Sequence, residues 1–183
     1  MNKIKSNEYR NTSTGEDGSR LITILQNHLP ESSSLLLLGI GSGGDFRLLS
    51  NYYNVTGSDF SKLLLSVYQK SHPDSDLLVL DLIELDTERK FDCIYSNKVL
   101  HQMSETDFSQ SLHNQLKILN TGGYIIHSFW CGNREEDHHG LKWVYYTEET
   151  LAKQIPTEFE IIGINTYKDK IDHDSLYVLL RKM

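Results

Sequence analysis

Leu35-Leu36-Leu37-Leu38-Gly39-Ile40-Gly41-Ser42-Gly43-Gly44-Asp45 is the stretch that decides the fold. Four consecutive leucines with no polar face read as a short strand buried on both sides, the condition of strands in a parallel sheet. The glycines that follow let the backbone turn sharply and come close to a ligand. Phe46, Leu48 and Leu49 then open a helix, whose first N–H groups lack partners within the helix and suit an anion.

Working outward, the same alternation repeats. A second strand is expected over 53–58 and a helix over Ser61 to Ser71. Leu77 to Leu80 reads as a third strand and Phe91 to Tyr95 as a fourth. Ser104-Glu105-Thr106-Asp107 has the spacing of a helix cap, and Phe108, Leu112, Leu116 and Leu119 form the apolar stripe behind it. Gly122-Gly123 is expected to end that helix, with Tyr124 to Phe129 as a fifth strand. Thr147 caps a short helix with Glu148 and Glu149 in its first turn, where the helix dipole favours acids. Upstream, Leu21, Ile22, Leu25 and Leu29 share a helical face that Pro30 ends. Phe159 to Tyr167 and Leu176 to Leu180 both alternate and are joined by too few residues for a helical crossover, so they pair antiparallel. The expected class is α/β: a Rossmann-like open sheet of about seven strands, mostly parallel, with an antiparallel C-terminal hairpin strand and helices on both faces.

Composition narrows the function. The 183 residues suit one domain, divided here into a flexible N-terminal arm over 1–18, a possible lid, and a ligand-binding domain over 19–183. Eighteen basic against 25 acidic side chains give a net charge of −7, which argues against nucleic acid or anionic membrane as a standing partner. The longest purely aliphatic run is four residues, far short of a bilayer span, and no secretory signal is read at the N-terminus. The two cysteines, Cys93 and Cys131, form no CxxC; no metal site is expected and the expected compartment is the cytoplasm.

In an open α/β sheet, ligands bind beyond the carboxyl ends of the strands. Gly39-x-Gly41-x-x-Gly44 satisfies a dinucleotide fingerprint, and Gly39-x-Gly41-x-Gly43 satisfies that of S-adenosylmethionine. Asp59, twenty residues beyond Gly39 at the end of the second strand, can accept from ribose hydroxyls in either case. Asp81 ends the third strand in LLVLDL, where a carboxylate can accept from an adenine amino group while the Leu82 N–H faces the ring. Acids after both the second and the third strand favour a short nucleoside ligand.

With LLLLGIGSGG, VTGSDFS, LLVLDL, FDCIYSNKVLH and LKILNTGGYIIHSFW in order, the chain resembles the class I S-adenosylmethionine-dependent methyltransferases over about residues 19–183. The resemblance implies a seven-stranded sheet whose last strand inserts antiparallel. It implies S-adenosyl-L-methionine as cofactor, with Gly39, Gly41, Ser42 and Gly43 around its methionine part. Asp59 and Phe60 would sit at the ribose, Asp81 and Leu82 at the adenine, and Ser96 and Asn97 near the amino group. Members often carry an acid two residues before the first glycine, where this chain has Leu37, so the amino group needs another acceptor: Asp45 or the Ser96 carbonyl. No NPPY-like or DPPY-like run follows the fourth strand, which counts against amino-methylating nucleic-acid enzymes.

The expected reaction is in-line methyl transfer to a small-molecule acceptor. Alternatives are a non-catalytic S-adenosylmethionine- or partner-binding module and, from the shared glycine fingerprint, an NAD(P)-dependent oxidoreductase. His101, His127 and Tyr145 are candidates for a base or for positioning the acceptor, since histidine titrates near neutrality. The loop 131–146, rich in polar and aromatic residues, is the second candidate lid, and only one of Tyr145 and Tyr146 is expected to point inward. His138-His139 has no third ligand at metal-binding spacing.

Overall fold

The computed structural model describes residues 18–138 and 141–183; all but Gly18 of the arm expected over 1–18, and His139 of the histidine pair, lie outside them. The elements are α1 (Ser19–Gln26), β1 (Ser34–Leu38), α2 (Gly44–Leu49), β2 (Asn54–Asp59), α3 (Lys62–Ser71), β3 (Asp76–Val79) and β4 (Phe91–Asn97). A 3₁₀ turn over Leu100–Gln102 leads into α4 (Glu105–Ile118). Then follow β5 (Leu119–Trp130), β6 (Glu135–His138), β7 (Leu141–Val144), α5 (Glu148–Ala152), β8 (Phe159–Tyr167) and β9 (Ser175–Lys182).

Seven strands form one sheet in the order β3-β2-β1-β4-β5-β9-β8. The first five run parallel, and β9 is antiparallel to both of its neighbours. The order reverses between β1 and β4, and the crevice beyond their carboxyl ends is where an open sheet of this kind binds ligands.

Alternation along β1 sends successive leucines to opposite faces. Leu36 and Leu38 join Ile94, Ile125, Phe108 and Leu112 in the core under α4 and α5. Leu35 and Leu37 join Cys93, Tyr95 and Ile126 in the core under α1, α2 and α3. Leu37, 2% exposed, is therefore part of the packing, and an acid there would be buried among apolar groups. The predicted stripe of α1 is buried at Leu21, Ile22 and Leu25. Ser104 caps α4 by accepting from the Asp107 amide at 3.1 Å.

Three boundaries differ from expectation. The third strand ends at Val79, and the chain extends past it through the Leu80 amide, which donates to the Asp59 carbonyl at 3.1 Å. Helix α4 ends at Ile118, four residues before the glycine pair. Gly122 and Gly123 instead lie inside β5, at a bulge where the β4–β5 register jumps from Phe91↔Leu119 to Cys93↔Tyr124. A Cβ on Gly123 would stand 2.8 Å from the Asn120 carbonyl oxygen and 2.9 Å from that of Asp92, so the bulge requires glycine there. Lastly, the loop 131–146 contains a two-stranded hairpin of its own, β6–β7, separate from the main sheet.

Candidate active site

The glycine turn carries three left-handed residues, Gly39 (φ 73°), Gly41 (φ 53°) and Gly43 (φ 80°). Packing explains two of them: a Cβ on Gly39 would meet Val99 at 2.8 Å, and one on Gly43 would run into the Tyr68 ring. Gly41 faces open space, with nothing within 4 Å of where its Cβ would be. The turn is thus braced from behind on both sides and open at its middle.

Asp45, in the first turn of α2, gathers three donors. Its Oδ2 accepts from the Tyr95 hydroxyl at 2.8 Å and from Asn97 Nδ2 at 3.0 Å, and its Oδ1 accepts from the Gly18 amide at 2.9 Å. A carboxylate offers about four lone-pair directions, so one remains for a further donor. Burial, together with the neighbouring Asp45 charge, pushes the Tyr95 hydroxyl well above its ordinary range, so it stays protonated and donates. Asn97 is itself fixed, its Oδ1 accepting from the Ser128 hydroxyl at 2.6 Å. Tyr95 had no signal of its own in the sequence beyond sharing the Cys93 face of β4. Ser96, one residue on, is fully buried.

Asp59 ends β2 and turns back on its own chain, Oδ1 accepting from the Ser61 amide at 2.9 Å. Burial raises its pKa, and the Ser61 and Phe60 amides oppose that shift. Phe60 is 72% exposed, an unusual exposure for a phenylalanine at the mouth of a sheet. Asp81 follows β3 and accepts at Oδ1 from the Ile83 amide (2.7 Å) and the Glu84 amide (3.1 Å), which folds Leu82 into a tight turn. Asp45, Asp59 and Asp81 thus follow β1, β2 and β3 along one edge of the sheet.

The three candidates for acceptor chemistry stand in different surroundings. His101, on the 3₁₀ turn after β4, is 2% exposed, and neither ring nitrogen has a hydrogen-bond partner. Its ring meets Trp143 of β7 edge-on at 4.7 Å, so the β6–β7 hairpin covers it. Burial first and the Lys98 charge second lower its pKa to about 3. His127 lies within β5 at 0% exposure with both nitrogens engaged, Nδ1 with Ser96 Oγ (2.9 Å) and Nε2 with Gln115 Oε1 (2.8 Å). It is enclosed in the core. Tyr145 stays on the hairpin, its hydroxyl donating to Glu136 Oε2 at 3.1 Å and its ring 3.9 Å from the Arg134 guanidinium. Tyr146 is the inward member of the pair, fully buried against Phe108 and Phe129.

One charged group at this end of the sheet carries no signal in the sequence. Lys98, at φ 55° just after Asn97, places Nζ 3.1 Å from Asp169 Oδ2, 2.6 Å from Ser175 Oγ and 3.3 Å above the Trp130 ring. Burial lowers its pKa while Asp169 opposes that shift. This pair joins residues 71 positions apart and ties the turn after β4 to the β8–β9 connection, so no local pattern announces it. Among the described residues no group of three or more His, Cys, Asp or Glu side chains could hold a metal ion. Nor is any described helix long and apolar enough to cross a membrane.

Comparison with known proteins places this geometry. No curated protein sequence matches the chain. Among solved structures, a S-adenosylmethionine-dependent methyltransferase from Clostridium acetobutylicum is 16% identical, with 90% of each chain covered and a TM-score of 0.74. The 1,6-didemethyltoxoflavin-N1-methyltransferase of Burkholderia thailandensis, with 1,6-didemethyltoxoflavin and S-adenosylhomocysteine bound, is 21% identical over 88% of this chain and 76% of its own, TM-score 0.75. The glycopeptide N-methyltransferase MtfA in complex with S-adenosylhomocysteine is 14% identical over 91% and 90%, TM-score 0.75. At these identities the likeness establishes the fold. The model of the methyltransferase domain family matches residues 36–127, half of the sequence, from β1 to the middle of β5. The chain therefore belongs to the methyltransferase domain family, the class I S-adenosylmethionine-dependent methyltransferases.

Proposed function

We propose that the protein transfers a methyl group from S-adenosylmethionine to a small-molecule acceptor by in-line displacement. The observation that carries this reading is the Asp45 carboxylate, anchored by Tyr95, Asn97 and Gly18 with one lone-pair direction to spare, beside the open face of Gly41. That pairing fits the ammonium and chain of a methionine moiety, and supplies the acid that Leu37 does not.

Asp59 would accept from the ribose hydroxyls next to the exposed Phe60 ring. Asp81 and the Leu82 amide would read the adenine edge, and the Ser96 carbonyl would assist Asp45. S-Adenosylmethionine supplies an electrophilic methyl on a positively charged sulfur, so the chemistry asks little of the protein beyond alignment. Holding two reactants in line can contribute on the order of 7–11 kcal/mol. Beneath the β6–β7 hairpin, His101 has hydrogen-bonding capacity to spare at both ring nitrogens. Being neutral, it would orient the acceptor by a hydrogen bond rather than act as a strong base. His127 and Tyr145 take no direct part in this scheme.

The small acceptor is supported by a net charge of −7 that disfavours polyanions, and by fold relatives named as methyltransferases of 1,6-didemethyltoxoflavin and of a glycopeptide. Incubating the protein with methyl-labelled S-adenosylmethionine and a cell extract fractionated into metabolites, protein and nucleic acid tests it. Label in a low-mass product is expected; label confined to nucleic acid, or no transfer to any fraction, would overturn the assignment.

A further inference from the structure

A run of buried polar side chains crosses the core between the two ends of the candidate cofactor site. Ser96 Oγ lies 2.9 Å from His127 Nδ1, and His127 Nε2 lies 2.8 Å from Gln115 Oε1. Gln115 Nε2 donates to Ser111 Oγ at 3.2 Å, and the Ser111 hydroxyl donates to the Leu82 carbonyl at 2.5 Å. All four side chains are fully buried.

The chemistry fixes the direction of every link. An amide oxygen only accepts, so His127 Nε2 carries the ring proton. A neutral imidazole then presents a bare Nδ1, and the Ser96 hydroxyl donates to it. Each group therefore donates toward Leu82, an arrangement in which successive bonds polarise one another. Beside its end, Asn114 Nδ2 donates to the Ile83 carbonyl at 2.7 Å, so α4 grips the turn after β3 at two successive carbonyls.

Burying three side chains with this hydrogen-bonding capacity is costly unless each is satisfied, and apolar residues would fill the same space between β5 and α4. What the polar chain adds is register. It fixes the carbonyl of Leu82, whose amide is the proposed adenine contact, relative to Ser96, whose carbonyl is proposed at the amino group.

We propose that Ser111, Gln115 and His127 are positioning residues that hold the two ends of the S-adenosylmethionine site at a set separation through one continuous hydrogen-bond chain. This rests on the cofactor reading given above. It assigns His127 a role in the reaction without contact with cofactor or acceptor.

Ser111→Ala and Gln115→Met cut the chain at its end and its middle. Amide hydrogen exchange at Ile83 and Glu84, measured without ligand, tests the chain itself; exchange should quicken about tenfold in both variants while the β1 and β4 amides stay as in the wild type. Calorimetry with S-adenosylhomocysteine tests the link to the cofactor, with an affinity loss of about tenfold expected in each folded variant. Unaltered exchange would overturn the chain as a positioning device. Quickened exchange with wild-type affinity would overturn its connection to cofactor binding. A wild-type protein that binds no S-adenosylhomocysteine would instead overturn the cofactor reading, and with it the role assigned to the chain.

Discussion

The Tyr95 hydroxyl donates to Asp45 Oδ2 at 2.8 Å, and through this bond a strand-end tyrosine fixes an acid on the neighbouring helix. In the proposed scheme Asp45 stands in for an acid at position 37, which would lie in the core under α1–α3, whereas Asp45 stands in the first turn of α2. Asp45→Asn removes the charge while keeping the shape, and should weaken S-adenosylhomocysteine binding by about 1.5–3 kcal/mol, as for a hydrogen bond to a charged group. Tyr95→Phe should cost about 1 kcal/mol of the same affinity by loosening the carboxylate. Calorimetric titration of both variants checks this, and equal affinity in all three proteins would contradict the role of Asp45.

His101 is predicted to matter for turnover and not for the cofactor. His101→Phe preserves the ring against Trp143 and removes both unpartnered nitrogens. Cofactor affinity should stay within about twofold and kcat should fall by roughly tenfold or more, toward the lower range for a lost proton-handling or positioning group. Steady-state kinetics on an identified acceptor, alongside calorimetry, would separate the two effects.

The protein should be acid-sensitive below pH 6.5. His101 and His127 are both held near a pKa of about 3 by burial, against an unfolded value of about 6.5. As pH falls through 6.5 the unfolded chain binds protons that the folded chain refuses, so stability declines and continues to decline toward pH 3. Each histidine contributes about 1.4 kcal/mol per pH unit in that window, or about 2 kcal/mol lost by pH 5. Above pH 7 neither contributes a slope. Urea unfolding at pH 7 and pH 5 measures the decline, and His101→Phe should remove about half of the histidine share.

Lys98 should be a stability residue through Asp169. The pair is nearly enclosed, with side-chain exposures of 13% and 6%. Asp169→Ala leaves the ammonium buried over Trp130 without its counter-charge and is expected to cost about 3–5 kcal/mol. Lys98→Met leaves the Asp169 carboxylate, 6% exposed, without its cation and should cost a comparable amount. Chemical unfolding of both variants checks the two losses.

Much of this architecture is legible in the sequence because it is local. The four leucines of β1, the glycine turn, the Ser104 cap and the alternating C-terminal strands each carry their own signal, and each stands where it reads. The departures come from longer-range packing. Gly122-Gly123 resembles a helix stop, but the pressure of Asn120 and Asp92 against Gly123 makes it a bulge inside β5. His127 reads as a candidate base from its place near a strand end, but the register with Ser96 and the approach of Gln115 turn it into a core residue. Asp45 is one of two acceptors the sequence offers, with Leu37 at the usual acidic position. Its partners Tyr95 and Gly18 lie 50 and 27 residues away, beyond the reach of any spacing rule.

Calorimetric titration of S-adenosylhomocysteine into the wild type and Asp59→Ala tests most directly whether an adenosyl ligand is bound, with its ribose at the end of β2. Saturable binding to the wild type is expected, with a loss of about 1–3 kcal/mol in the variant, the cost of removing the ribose acceptor. No binding to the wild type, or identical affinity in the two proteins, would contradict that expectation.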